Sequence, residues 1–100
     1  MAKGYWIVRG EVSDPEAYKA YVAANAAAFS KFGARFLARA GKHEVVEGAG
    51  ASRNVVIEFA DYATALACYR SPEYAAAKAL RQGAASIDIV VIEGYDGPQP

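Results

Sequence analysis

The order of strand-like and helix-like segments is the feature that most constrains the fold of this chain. Segments rich in β-branched and aromatic residues, which are typical of strands, occur at residues 5–12, 35–39, 54–59 and 87–95. Helical segments separate the first strand from the second and the third strand from the fourth. This β-α-β-β-α-β order predicts a ferredoxin-like α+β fold with a four-stranded antiparallel sheet. Because such crossovers are right-handed, we expect the helices on one face of the sheet.

Capping residues mark the predicted helix starts. Asp14 and Ser71 each precede a proline and then a glutamate, and Asp61 precedes the second helical region, which restarts at Ser71. The first helix is predicted over residues 15–32, with Gly33 ending it. Its predicted apolar stripe consists of Tyr18, Val22, Ala26 and Phe29.

The segment after the second strand contains several glycines. Gly41 is predicted to bend or bulge this strand, which is then expected to resume around residues 44–47. Residues 48–51, of sequence GAGA, indicate a flexible loop tip. The second and third strands are therefore predicted to form an antiparallel hairpin.

A chain of 100 residues is the size of one domain, which we place at residues 1–95 with a flexible tail at 96–100. Eleven basic and 11 acidic residues leave no broad positive field for nucleic acid or an anionic membrane. The single cysteine, Cys68, cannot form an internal disulfide, which fits a reducing compartment. With no signal-like segment or membrane-length apolar stretch, the sequence predicts a cytoplasmic protein.

Alternation of side chains along the strands divides the predicted sheet into two faces. The wholly apolar sets, such as Trp6 with Val8, are expected to pack on the helices. The mixed sets form an open face that comprises Ile7, Arg9, Arg35, Leu37, Arg39, Val56 and Glu58. Residues 87–95 are apolar on both sides, which is typical of a strand covered on both faces. No helix is left to cover the open face, and 54% of the residues are hydrophobic, so we expect a homodimer.

Arg9, Arg39 and Glu58 form the candidate ligand-binding site on this open face. Burial by a dimer partner would require these charges to be paired. In one interpretation they bind a small polar or carboxylate-bearing molecule, with the arginines holding the carboxylate and Glu58 acting as a base. In the other, they form an ion-pair network that fixes the register of the dimer. Both interpretations stay open at this point.

The remaining chemically active side chains have structural interpretations. Five tyrosines occur in the helical segments, where they either pack in the core and at an interface or surround a ligand. They are Tyr18, Tyr21, Tyr62, Tyr69 and Tyr74. His43 is the single histidine and has no partner set for a metal, so we expect a solvent-side turn residue and no metal site. Cys68 is predicted to be a buried structural thiol. No cofactor motif is recognisable, so no cofactor is predicted.

Six segments carry a resemblance to a known family: residues 5–7, 14–18, 33–39, 53–59, 71–74 and 93–95. On these segments the sequence resembles the domain of unknown function 1330 family, within the dimeric α/β-barrel superfamily. The resemblance implies a barrel made of two sheets that face each other across a two-fold axis. Superfamily relatives include cofactor-free monooxygenases and haem-degrading enzymes. The haem degraders use an Asn, a Trp and a His, and we do not extend that triad to Trp6 and His43.

Two hypotheses for function follow. The first is a small-molecule site in the barrel, with a cofactor-independent monooxygenase- or isomerase-like activity as its catalytic form. The second is a non-catalytic structural dimer, because the sequence contains no recognisable nucleophile, metal cluster or cofactor motif. An enclosed pocket that contains Arg39 or Glu58 would favour the first hypothesis, and a filled barrel would favour the second.

Overall fold

The computed structural model describes residues 2–100. The strands are β1 (Gly4–Val12), β2 (Arg35–Arg39), β3 (Arg53–Phe59) and β4 (Ala85–Glu93), and the helices are α1 (Pro15–Lys31), α2 (Tyr62–Tyr69) and α3 (Pro72–Ala79). The strands form one sheet in the order β2-β3-β1-β4, with every neighbouring pair antiparallel. The predicted ferredoxin-like α+β fold is therefore confirmed.

The predicted caps begin all three helices. The side chains of Asp14, Asp61 and Ser71 each accept a hydrogen bond from the backbone N–H three residues further on, at 3.2, 2.7 and 3.1 Å. These bonds satisfy backbone donors that have no partner within the first turn of a helix. Gly33 follows the end of α1 with a φ of +67°, a conformation that glycine adopts without the steric penalty of a side chain.

Trp6 anchors the core between the helices and the sheet. Its side chain is 0% exposed, and its indole Nε1 donates a hydrogen bond to the Ala65 carbonyl at 2.9 Å. The rings of Phe29 and Tyr74 meet it edge-on, at centroid distances of 5.3 and 5.0 Å. Truncation of such a buried aromatic side chain costs about 3–5 kcal/mol, so this cluster fixes the helices on the predicted face of the sheet.

The opposite face of the sheet carries no helix. Ile7, Val90 and Ile92 are 43%, 56% and 49% exposed on this open face. In β4 the other set of apolar residues, Ile87, Ile89 and Val91, packs against the core. The two apolar sides of β4 thus have different environments in the single chain, and the outer one lies uncovered.

Strand β2 differs from the prediction in two ways. The irregularity lies at Leu37 and not at Gly41: Phe36 pairs with Ile57 and Ala38 with Val56, which leaves Leu37 as an extra residue in a β-bulge. Residues 40–52, all of them described, contain neither helix nor strand, so the predicted resumption of the strand at 44–47 is wrong. Ala40 has a φ of +53°, a left-handed conformation that does not continue the extended backbone of β2.

Beyond β4, residues 94–100 contain no regular secondary structure. Among the helices within residues 2–100, none has the length and apolar character needed to cross a membrane.

Candidate functional site

The three residues predicted to form a site on the open face do not converge. Arg9 forms an ion pair with Asp88 of the neighbouring strand, with 3.6 Å between Nε and Oδ2. Glu58 instead accepts a hydrogen bond from the Tyr5 hydroxyl at 3.2 Å. Tyr5 lies opposite Glu58 in the sheet, and Arg9 is four residues further along β1, a separation of roughly 13 Å.

Arg39 lies on the helix-facing side of the sheet, so its predicted placement beside Arg9 on the open face is wrong. The extra residue at Leu37 shifts the alternation of side chains by one position, and Arg39 pairs with Val55, a buried residue of the core face. The Arg39 guanidinium stacks on the Phe36 ring, with Cζ 4.0 Å from the ring centroid. The role of Arg39 in ligand binding stays a prediction.

Arg39 lies at a cleft between α1 and the sheet. The apolar lining of the cleft includes Trp6, Phe29 and Phe36, and its polar lining includes Asn25, Arg39 and Arg53. The empty space of the cleft, including the part open to solvent, is about 320 Å³. The interior that can hold the centre of a water molecule is only about 20 Å³, which is room for about one water molecule. The cleft is therefore narrow, aromatic and polar at a few positions.

Asn25 contributes a buried amide to this cleft. It belongs to the buried side of α1, between Tyr21 and Phe29, and its side chain is 5% exposed. Among residues 2–100 the Asn25 side chain has no hydrogen-bond partner. The amide atoms are not among the fully buried side-chain atoms that lack a partner, so the amide faces the cleft, where water or a ligand can bind to it.

Arg53 contributes a buried, unpartnered polar group. Its Nε atom is buried and has no hydrogen-bond partner within the described part of the chain. Its guanidinium lies over the Tyr18 ring, with Cζ 5.1 Å from the ring centroid. The ion pairs of residues 2–100 include neither Arg53 nor Arg39. The cleft therefore carries two positive charges without a carboxylate partner, which favours an anionic ligand.

Burial keeps the tyrosines of this region protonated. It raises the pKa of the Tyr18 hydroxyl, and the nearby Arg53 guanidinium offsets part of that rise. Behind the cleft, the Tyr21 and Tyr74 hydroxyls lie 2.7 Å apart, and burial raises the pKa of Tyr74 well above its usual range. A nitrogen of Arg81 donates to the Tyr74 hydroxyl at 3.5 Å. Near neutral pH the Tyr18 and Tyr74 hydroxyls serve as neutral hydrogen-bonding groups and not as bases.

Asn25 and Arg53 are the site residues that the sequence reasoning missed. Asn25 follows Tyr21 by four residues and precedes Phe29 by four, so helical spacing places it on the buried stripe in place of Ala26. Arg53 is two residues before Val55 and therefore shares its face of β3. The predicted strand began at residue 54, one position too late to include Arg53.

The other predicted residues have structural positions. Tyr18, Tyr21 and Tyr74 belong to the buried core, as one of the two interpretations proposed. His43 is exposed, and its Nδ1 atom lies 3.1 Å from the Gly41 carbonyl oxygen. Cys68 is fully buried, and burial raises the pKa of its thiol to about 12. Within residues 2–100 no group of three or more His, Cys, Asp or Glu side chains could hold a metal ion.

Comparison with known sequences places the chain in a family. The sequence model described as Domain of unknown function (DUF1330) matches residues 3–95. The chain belongs to the DUF1330 family. This confirms the predicted resemblance, and the family description assigns no reaction. No curated protein matches the chain.

Several crystal structures share the fold of this DUF1330 protein. A protein of unknown function from Rhodopseudomonas palustris is 17% identical, with a TM-score of 0.73 over 96% of this chain and 85% of the other. SnoaB from Streptomyces nogalater, a cofactor-independent oxygenase, is 13% identical, with a TM-score of 0.62 over 100% and 97%. A conserved protein from Bacteroides thetaiotaomicron, described as a possible oxidoreductase, is 13% identical, with a TM-score of 0.54 over 92% and 95%. At these identities the likeness is one of fold.

Proposed function

We propose that this protein binds a small carboxylate-bearing molecule in the cleft between α1 and the sheet. Arg53, Arg39 and Asn25 are the proposed binding residues. The observation that carries the proposal is Arg53 Nε, which is buried and unpartnered at a cleft that Asn25 and Arg39 also line. The unpartnered Nε–H costs stability in the free protein, and an anionic ligand that accepts a hydrogen bond from it would remove that cost.

The chemistry of the lining supports a carboxylate joined to an apolar body. A guanidinium presents paired N–H donors that match the two oxygens of a carboxylate, and the amide of Asn25 offers two further donors. The rings of Trp6 and Phe36 make the surroundings of these donors apolar, and the apolar part of the ligand extends out of the narrow cleft. The ligand class is the one predicted from the sequence, but its proposed position is on the other side of the sheet.

Binding, and not a reaction, is the function that the cleft supports best. A cofactor-independent monooxygenase or isomerase must move protons near neutral pH. The hydroxyl that faces the cleft beside Arg53 belongs to Tyr18, and burial raises its pKa. Because this chain shares its fold with SnoaB, an oxygenase activity is the alternative function. In that case the bound substrate itself would have to supply the acidic proton.

We further propose that two copies of the chain associate through their open faces in the cytoplasm. The exposed apolar side chains of Ile7, Val90 and Ile92 support this association, because burial of such a face stabilises a dimer. The Arg9–Asp88 pair and the Tyr5–Glu58 hydrogen bond would then lie at the interface. This position favours the interpretation of Arg9 and Glu58 as residues that fix the dimer. The single, buried Cys68 thiol fits a reducing compartment.

Calorimetric titration with sodium phenylacetate tests the proposed site. We expect saturable binding to the wild-type protein and at least a tenfold loss of affinity in Arg53→Met, which keeps the length of the side chain but removes its donors. Arg9→Met is the matched control, because the Arg9 side chain is 59% exposed on the open face. Equal binding by the wild type and a folded Arg53→Met variant, or a loss only in Arg9→Met, would place the site elsewhere.

A further inference from the structure

We infer that the ligand is an amphiphilic carboxylate whose elongated apolar body lies in a groove along the first turns of α1. This inference rests on the proposed function, since it takes the cleft as the site of the carboxylate. It adds the substrate class, namely carboxylates with an extended hydrocarbon or ring body, and assigns the residues that select it.

The groove lies beside the end of β1 and the first turns of α1. Its lining residues are Val12, Pro15, Tyr18, Lys19, Val22 and Arg53. The apolar surface comes mainly from Val12, Pro15 and Val22. From Pro15 to Val22 the helix rises roughly 10 Å, which is the length available to a bound chain. The groove is therefore an apolar channel open to solvent along one side.

The sizes of the two spaces decide how a ligand can lie. The space that can hold the centre of a water molecule is about 20 Å³ in the cleft and about 460 Å³ in the groove. The smaller space has room for a group about the size of one water molecule, such as one carboxylate oxygen, and not for a larger body. Any ligand with more than a few heavy atoms must therefore extend out of the cleft.

The cleft and the groove meet at Tyr18 and Arg53, which line both. The Arg53 guanidinium lies over the Tyr18 ring at this junction, with its Nε buried and unpartnered. Lys19, the other cation of the groove, is already paired with Glu16 at 3.1 Å. Arg53 therefore marks where the charged end of the ligand sits, and the apolar body continues past it along α1.

Affinity for straight-chain carboxylates tests this arrangement. Titration of the wild-type protein with butyrate, hexanoate and octanoate, all below their micelle concentrations, should show affinity that rises about fourfold for each buried methylene group. Val22→Ser should reduce the gain in affinity from butyrate to octanoate. Val46→Ser, in the exposed loop between β2 and β3, is the matched control and should behave as the wild type.

The outcomes separate this inference from the proposed function. Absence of binding by every carboxylate overturns both. Binding that depends on Arg53 but is equal for all chain lengths overturns the groove and leaves the proposed site intact. Affinity that rises with length but is unchanged in Val22→Ser also overturns the groove, since the body then lies elsewhere. If Val22→Ser fails to fold, methyl NMR of the wild type decides: octanoate must shift the Val12 and Val22 methyl signals more than butyrate does, and equal shifts refute the inference.

Discussion

Replacement of Asn25 by leucine should stabilise the free protein while it abolishes ligand binding. Both side chains branch at Cγ with the same number of heavy atoms, so Asn25→Leu keeps the outline of the side chain in α1. The substitution removes an amide that is nearly buried at the cleft. The substitution keeps the outline of the side chain but removes its polarity, so it separates the requirements of folding from those of binding.

The expected gain follows from the environment of Asn25. An unsatisfied buried amide costs about 1–3 kcal/mol, and the lower end of that range applies because the Asn25 side chain is nearly buried but its amide is still reached by solvent in the cleft. The higher helix propensity of leucine adds a few tenths of a kcal/mol, giving roughly 1–2 kcal/mol in total. For a domain of this size each kcal/mol raises the melting temperature by about 4–8 °C.

Urea unfolding at fixed protein concentration, followed by the fluorescence of the single tryptophan, Trp6, measures this gain. Ser30→Leu is the control for helix propensity, because Ser30 belongs to the same helix but is exposed. We expect Asn25→Leu to be more stable than the wild type and Ser30→Leu to be nearly neutral. A loss of more than about 1 kcal/mol in Asn25→Leu would show that the amide is paired in the native protein, and the argument for the cleft would fail.

Three further predictions concern the caps, the dimer and the thiol. Hydrogen bonds from the Thr64 side chain and backbone lower the pKa of Asp61. The stabilisation of the fold by this carboxylate is therefore complete above the unfolded pKa of about 3.9 and is lost as the pH falls through the folded pKa. The stability of Asp61→Asn should fall less steeply with acid than that of the wild type, and identical acid unfolding curves would refute this. Light scattering after gel filtration should give about twice 10.6 kDa for the wild type and about 10.6 kDa for Val90→Lys/Ile92→Lys; a monomeric wild type refutes the dimer. Cys68, with a thiol pKa raised to about 12, should react with a disulfide reagent at pH about 8 only after unfolding, and rapid reaction of the native protein would contradict its burial.

The element order could be predicted from the sequence because its signals are local. Each helix start depends on a capping side chain and the backbone N–H three residues away, as at Asp61 and Ser71. The division of β1 and β3 into two faces depends only on alternation within one strand. Both kinds of signal lie within a few residues, so no knowledge of the tertiary structure was needed.

The candidate site could not be predicted because it depends on how strands and helices meet. The bulge at Leu37 arises in the pairing of β2 with β3, and its effect is to place Arg39 on the opposite face from the one predicted. Asn25 is polar, so a search for apolar periodicity assigned its place on the buried stripe to Ala26. A test of every residue for helical spacing, regardless of polarity, would have marked Asn25 as the unusual position.

The most direct test of the central claim is to observe the proposed binding groups themselves during a titration. In a ¹⁵N-labelled sample, the Arg53 Nε–H signal and the Asn25 side-chain amide signals are assigned by their loss in Arg53→Met and Asn25→Leu. We predict that phenylacetate shifts these signals along one saturable curve with a common dissociation constant, while the Arg9 Nε–H signal stays in place. Saturable shifts of the Arg9 signal, with those of Arg53 and Asn25 unchanged, would contradict a site between α1 and the sheet.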